Sequence, residues 1–98
     1  MIWALALHGG AGDIAAHLVA RDEAHMAGVL DEGAAMLARG ACALDVVAAM
    51  AEALEACGFH QAGKGSAPNS AGKVELDASI MDGETRRAGA VAALSGFL

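Results

Sequence analysis

Large aromatic side chains are scarce in this sequence, whose 98 residues include two Phe, one Trp and no Tyr. Alanine makes up about a quarter of the chain and accounts for much of its hydrophobic content of 56%. A chain of this size buries only roughly 60–70% of the surface that it exposes when unfolded, and each alanine contributes little transfer free energy. We therefore expect marginal stability and a core that a partner subunit or further sequence completes.

Cysteine, basic charge and long hydrophobic runs are also in short supply. Only Cys42 and Cys57 are present, without Cys-x-x-Cys or Cys/His ligand spacing, which argues against a disulfide scaffold or a zinc site. Six Lys and Arg face twelve Asp and Glu, and the resulting net charge of -6 argues against nucleic acid as a partner. Because no run of eighteen apolar residues and no secretory signal occurs, we expect no membrane partner and a cytoplasmic location.

Hydrophobic periodicity predicts an α/β chain in the order β-α-α-loop-β-β. Residues 2–7 form a short apolar run of the length of a buried strand. Helical spacing of apolar residues predicts one helix at 22–39, ended by Gly40, and a second at 43–57, with Cys42 as N-cap and Gly58 as its stop. Strand-like runs at 73–81 and 86–94 flank a turn at 82–85. We predict one domain whose helices lie on a sheet and whose last two strands form a hairpin.

The first segment that could carry chemistry is His-Gly-Gly-Ala-Gly at residues 8–12. Its glycines permit positive φ, so that successive backbone N–H groups can turn toward an anion or a developing oxyanion. A similar string builds the oxyanion hole of some α/β-hydrolases, but the Gly-x-Ser-x-Gly turn that those enzymes need is absent. The alternative is a tight turn where a buried strand leaves the sheet.

The second segment, residues 58–65, nearly spells the phosphate-binding loop Gly-x-x-x-x-Gly-Lys-[Ser/Thr]. Its last position is Gly65 instead of the hydroxyl that holds magnesium, and the segment follows a predicted helix instead of a strand. These departures argue against nucleotide binding. The alternative is a glycine-rich crossover whose carbonyl groups face inward, onto a hard cation.

The third segment pairs the carboxylates of Glu75 and Asp77 at a spacing that places both on one face of a strand. Such a pair could perform acid/base chemistry. The spacing alone favours the simpler interpretation, which is the solvated face of a strand.

Taken together, the three segments resemble the plant-type asparaginase and isoaspartyl peptidase family of N-terminal nucleophile hydrolases. The resemblance extends over almost the whole chain. It rests on five strings: His-Gly-Gly-Ala-Gly at 8–12, Ala-Leu-Asp-Val-Val at 43–47, Ala-Gly-Lys-Gly-Ser at 62–66, Val-Glu-Leu-Asp-Ala-Ser-Ile-Met-Asp-Gly at 74–83 and Ala-Gly-Ala-Val-Ala at 88–92.

This resemblance implies an αββα sandwich, of which the present chain would be an incomplete part from the first portion of the α-subunit. The precursor would cleave its own backbone and expose a threonine as the first residue of a β-subunit, and two αβ units would form a dimer. The substrates would be L-asparagine or β-aspartyl peptides, without an organic cofactor. The threonine could act as nucleophile and base, since a free α-amine has a reference pKa of about 7.7–8.0.

The resemblance also implies roles for residues of this chain. His8, Gly9, Gly10, Gly12 and Gln61 would support self-cleavage or the active site, with Gln61 standing where relatives usually carry Asn. Some relatives bind a structural sodium ion through main-chain carbonyl groups, which the ungapped match places at Leu54, Glu55, Cys57, His60, Ala62 and Lys64.

No catalytic residue is assigned within the chain itself. Its single threonine, Thr85, lies in the turn at 82–85 and lacks the glycine- and valine-rich context of the family's nucleophile. We therefore expect the 98-residue chain alone to be inactive. Two alternatives stay open: a non-catalytic remnant that pairs with another chain through a sheet edge, and a small anion-binding module that uses the glycine loop at 9–12 or 63–65.

Overall fold

The computed structural model describes residues 2–96, which contain two α-helices and a two-stranded sheet. The helices are α1, Val19–Ala38, and α2, Ala43–Ala56; the strands are β1, Leu76–Met81, and β2, Ala88–Leu94. Short 3-10 turns occupy Ala16–Leu18 and Gly63–Gly65. The chain divides into two compact units, Met1–Ala53 and Leu54–Leu98. The mixed helix and strand content agrees with the predicted α/β class.

Helix α1 confirms the first predicted helix, although it begins at Val19 instead of residue 22. It ends where the glycine signal predicts, because Gly40 adopts a φ of +88°. The N–H of Gly40 donates to the carbonyl of Leu37 at 3.0 Å, and that of Ala41 donates to the carbonyl of Met36 at 3.0 Å. This pair of bonds is a Schellman motif, which satisfies carbonyl groups that the helix end leaves without intrahelical partners.

Helix α2 confirms the second predicted helix and its N-cap. The carbonyl of Cys42 accepts the N–H of Val46 at 3.2 Å, which is the first hydrogen bond of the helix. Asp45 lies in the first turn, where its negative charge suits the helix dipole. The helix stops at Ala56, and Gly58 follows with a φ of +78°.

The core of the first unit is small. Only Val29, Val46 and Met50 are buried hydrophobic residues among those that the structure describes. Half-buried side chains surround them, and these are Leu5, Leu7, Met36, Leu37, Ala41, Ala49 and Ala53. Gly33 permits the close packing, because a Cβ atom there would lie 2.6 Å from Cδ2 of Leu5 and 2.8 Å from Sδ of Met50. The thin core agrees with the alanine-rich composition.

The strand predicted at residues 2–7 is wrong for this chain, because these residues form neither a helix nor a strand. A strand requires a hydrogen-bonded neighbour, and among residues 2–96 the two strands of the sheet pair only with each other. The alternation of large and small apolar residues in this segment still decides which side chains are half-buried. Leu5 and Leu7 pack on the core of the first unit, whereas the alanines at 4 and 6 are exposed.

The predicted hairpin is confirmed. Strands β1 and β2 pair in antiparallel fashion, with Met81 opposite Ala88 and Ala78 opposite Val91. Asp82 organises the turn between them: its Oδ1 accepts the N–H of Glu84 at 3.1 Å and its Oδ2 accepts the hydroxyl of Thr85 at 3.0 Å. The side chain of Asp82 therefore stabilises the turn through hydrogen bonds to residues within it.

A β-bulge interrupts the hairpin near its open end, between Leu76 and Ala78. At this point Ala93 adopts a φ of +53°, a left-handed conformation that is strained for a residue with a Cβ atom. Oδ1 of Asp77 accepts the N–H of Ala93 at 2.9 Å. The carboxylate therefore stabilises a backbone position that the interrupted ladder would otherwise leave without a partner.

From the geometry of the bulge we predict that glycine substitutions at the adjacent residues Ala92 and Ala93 change the stability of the chain differently. Ala93→Gly relieves the strain at positive φ and should be neutral or stabilising, whereas Ala92→Gly, at a position without positive φ, should cost about 0.5–1 kcal/mol. Urea denaturation of the two variants measures the difference. An equal loss of stability in both would contradict the assigned geometry of the bulge.

Candidate functional site

The first glycine segment, residues 8–12, is fully on the surface of the first unit. His8, Gly9, Gly10 and Gly12 are all exposed and lie outside regular secondary structure. Gly10 has a φ of +118°, which favours glycine, and no atom lies within 4 Å of the position that its Cβ would occupy. The backbone here is thus available to approach another group closely. This accessibility is compatible with the supporting role expected for the segment.

The second glycine segment closes tightly onto the end of α2. A Cβ atom placed on Gly63 would lie 2.8 Å from the carbonyl oxygen of Glu55 and 2.9 Å from its Cα. A Cβ atom on Gly65 would collide with the carbonyl oxygen of His60 and lie 3.0 Å from that of Gly58. Both neighbours are backbone and cannot rotate away, so the fold requires glycine at these two positions.

This close approach brings the carbonyl oxygen atoms of Glu55, Gly58 and His60 beside the Gly63–Gly65 turn. The residues predicted to ligate sodium lie in the last turn of α2 and in the segment that follows it: Leu54, Glu55, Cys57, His60, Ala62 and Lys64. Leu54 and Glu55 belong to the last turn of α2, where carbonyl groups lack intrahelical partners and carry the negative end of the helix dipole. The carbonyl of Ala62 accepts the N–H of Gly65 at 3.1 Å and keeps a second lone pair. Such a set suits a hard cation.

Cys57 has a structural role in the same loop. Its Sγ donates to the carbonyl of Leu54 at 3.3 Å and accepts the N–H of Phe59 at 3.3 Å. The thiol is free and half-buried. It therefore holds the chain as it leaves α2. Gln61, by contrast, is exposed, so its amide is accessible from solvent.

The carboxylates of the third segment do not share a strand face. Glu75 precedes β1, which begins at Leu76, whereas Asp77 holds the bulge through Ala93. Thr85 is engaged in the hairpin turn, because its hydroxyl donates to Asp82 and accepts the N–H of Arg87 at 3.3 Å. Asp77 and Thr85 are therefore engaged in the hairpin itself, and the two carboxylates do not form a pair on one strand face.

The second unit also contains a cavity that the sequence pattern did not indicate. It has a volume of about 400 Å³ and lies between the 3-10 turn at Gly63–Gly65 and the open end of the hairpin. Lys64 and Ser95 both line it, although they are far apart in the sequence. No periodicity or motif joins these two residues, so only the fold could bring them together.

Comparison with known proteins identifies the family of this chain. A family model described as Asparaginase matches residues 1–97. The chain belongs to the asparaginase family. It is 41% identical over 96 residues to the isoaspartyl peptidase of Salmonella typhimurium, covering 93% of this chain and 31% of that protein. It is 46% identical over 94 residues to the plant-type L-asparaginase of Pyrobaculum calidifontis, covering 94% of this chain and 31% of that protein.

Family membership confirms the resemblance stated from the sequence strings. A probable isoaspartyl peptidase/L-asparaginase of Arabidopsis thaliana is 38% identical over 96 residues. The chain spans about a third of the length of these relatives. Among residues 2–96, no helix combines the length and the apolar character needed to cross a membrane.

The loop geometry predicts that Gly65→Ala destabilises this asparaginase-family chain by about 1–3 kcal/mol, since the added methyl meets backbone atoms on two sides. Gly83→Ala is the matched control, because open space surrounds Gly83 and its φ is not in the left-handed region. Its effect should stay within about 0.5 kcal/mol. Urea denaturation measures both, and similar stabilities for the two variants would contradict the close approach.

Proposed function

We propose that this chain is part of a self-cleaving amide hydrolase that acts on L-asparagine or on β-aspartyl peptides. The observation that carries the proposal is the family match over residues 1–97, together with relatives named isoaspartyl peptidase and plant-type L-asparaginase at 41% and 46% identity. Because the chain spans 31% of each of these relatives, the activity is proposed for a longer precursor that contains this segment.

The proposed fold is the αββα sandwich of N-terminal nucleophile hydrolases, to which this chain contributes one part. Its hairpin supports this role, since each strand pairs on one side only among residues 2–96. Ile80, Met81 and Val91 on these strands are 42–59% exposed, with Ile80 and Val91 on one face of the sheet and Met81 on the other. The free hairpin thus exposes apolar surface on both faces. The remainder of the precursor or its β-subunit would extend the sheet and cover this surface, and two αβ units would form a dimer.

The proposed nucleophile is a threonine outside this chain, freed as the first residue of the β-subunit. Its hydroxyl oxygen attacks the carbonyl carbon of the substrate amide, and its own α-amine takes the hydroxyl proton. The C–N bond then breaks, the nitrogen leaves protonated as ammonia or as the amine of the released amino acid, and an ester to the threonine remains. Water hydrolyses the ester and regenerates the threonine. Thr85 is unsuited to this role, since its hydroxyl is engaged with Asp82.

The present residues would support this chemistry instead of performing it. We propose that the backbone at His8, Gly9, Gly10 and Gly12 approaches the scissile bond of the precursor, where N–H groups stabilise the oxyanion of the cleavage step. The open surroundings and positive φ of Gly10 support such an approach. The exposed amide of Gln61 is proposed to contribute a further hydrogen bond.

A longer product of the same gene should cleave itself at a threonine and then hydrolyse asparagine or β-aspartyl-leucine. Gel electrophoresis with mass spectrometry detects cleavage, and release of ammonia or leucine measures hydrolysis. Gly10→Ala should slow cleavage about tenfold or more, because a Cβ is strained at a φ of +118° and displaces the oxyanion donors. The control, Gly28→Ala, changes a helical glycine in open space and should cleave normally.

If the longer product neither cleaves itself nor hydrolyses either substrate, the enzyme proposal fails. The alternative of a non-catalytic remnant then applies. Its supporting observation is that each strand of the hairpin has one edge without a paired strand among residues 2–96, through which the chain would pair with another protein.

We further propose a structural sodium ion at the carbonyl groups of Leu54, Glu55, Cys57, His60, Ala62 and Lys64. Sodium that binds the folded chain and not the unfolded chain should raise the free energy of unfolding. The increase should be about 1–2 kcal/mol when the sodium concentration is roughly ten to thirty times the dissociation constant. Thermal unfolding in sodium chloride and in choline chloride of equal ionic strength measures this effect. Gly65→Ala should lose the sodium-specific increase, whereas Gly83→Ala should keep it. Equal midpoints in the two salts would contradict a sodium site.

A further inference from the structure

We propose that the cavity beside Lys64 in the second unit binds a small organic anion that carries a carboxylate and a branched aliphatic group. The cavity volume of about 400 Å³ falls within the range of small-molecule sites in proteins. The proposal is independent of the hydrolase function, because it requires neither a threonine nucleophile nor any residue outside this chain.

The apolar part of the cavity comes from the open end of the hairpin. Leu76 and Leu94 face each other across the two strands and both line the cavity, together with Val74 just before β1. Val74 is 41% exposed, and the two leucines are half-buried. Water therefore contacts a wall of branched aliphatic side chains, and an aliphatic ligand group would gain free energy by covering it.

The polar part of the cavity is positive. Lys64 is the only ionisable residue among those that line it. The ammonium of Lys64 forms no salt bridge with the residues that the structure describes. Ser95 adds a hydroxyl that can donate a hydrogen bond. Among the described residues that line the cavity there is one lysine and no Asp or Glu, so we expect the cavity to prefer an anion although the chain has a net charge of -6.

The lysine is placed by the tight glycine loop. Lys64 lies between Gly63 and Gly65, whose positions the backbone of Glu55 and His60 restricts. Its Cδ lies 3.9 Å from the site of a Cβ on Gly58, so the side-chain stem runs beside the loop. A ligand would therefore place its carboxylate at the ammonium of Lys64 and its aliphatic group against Val74, Leu76 and Leu94.

Isovalerate is the simplest probe with both groups. We expect it to bind the 98-residue chain with a dissociation constant of about 1–10 mM, in keeping with the free energy available to so small a ligand. Titration followed by NMR chemical shifts measures the affinity and reports which residues respond, at constant sodium concentration. Isovaleramide, which has the same shape without the charge, should bind about tenfold more weakly, and inorganic phosphate, which lacks the aliphatic group, should also bind more weakly.

Variants separate the two contributions. Lys64→Gln should weaken isovalerate binding about tenfold and Lys64→Arg should retain it, whereas Lys73→Gln, which removes a lysine outside the cavity lining, should have no effect. Val74→Ser should weaken isovalerate binding but leave the weaker phosphate binding unchanged. Circular dichroism checks that each variant is folded.

Three results would each overturn the proposal. They are the absence of saturable isovalerate binding to the wild-type chain, equal affinity for isovalerate and its amide, and equal weakening by Lys64→Gln and Lys73→Gln. None of these results depends on self-cleavage or amide hydrolysis, so they are distinct from a failure of the proposed enzyme function.

Discussion

The close contact of the Gly63–Gly65 turn with the backbone of the last turn of α2 and of the residues after it is the constraint on which the second unit depends. Two glycines lie where a single methyl group would meet the main chain of Glu55, Gly58 or His60. Lys64 lies between these two glycines and lines a cavity. The same steric requirement underlies two proposals, a sodium ion at the carbonyl groups of the loop and a small organic anion in the cavity that Lys64 lines.

The first unit depends on a weaker arrangement. Three buried side chains, Val29, Val46 and Met50, form its core, and alanines supply much of what surrounds them. Gly33 compensates in part, because the absence of its Cβ lets Leu5 and Met50 approach the helix axis of α1. Small side chains allow close packing but bury little apolar area. A core of this kind agrees with a segment that covers about a third of its family relatives.

The elements that the sequence predicted correctly are those whose hydrogen bonds are local. Both helices satisfy their own backbone, and Gly40 and Gly58 end them through a conformation that glycine readily adopts. The hairpin turn is likewise local, since Asp82 bonds residues two and three positions later. The wrong prediction, a strand at residues 2–7, concerns the one element that needs a distant partner. Its alternation survives only in Leu5 and Leu7.

The sequence by itself determined the family, through strings such as those at 74–83 and 88–92, and the positions of the elements with local hydrogen bonds. Tertiary structure alone decided what the individual polar side chains do. Asp77, which the spacing paired with Glu75, instead stabilises a bulge sixteen residues away at Ala93. Lys64 belongs to the segment that nearly matches a phosphate-binding loop, but in the structure it lines a cavity together with Ser95 and three aliphatic side chains. Spacing along a strand fixes only the face of a side chain, whereas a bulge or a loop closure chooses its partner, and both depend on residues far away in the chain.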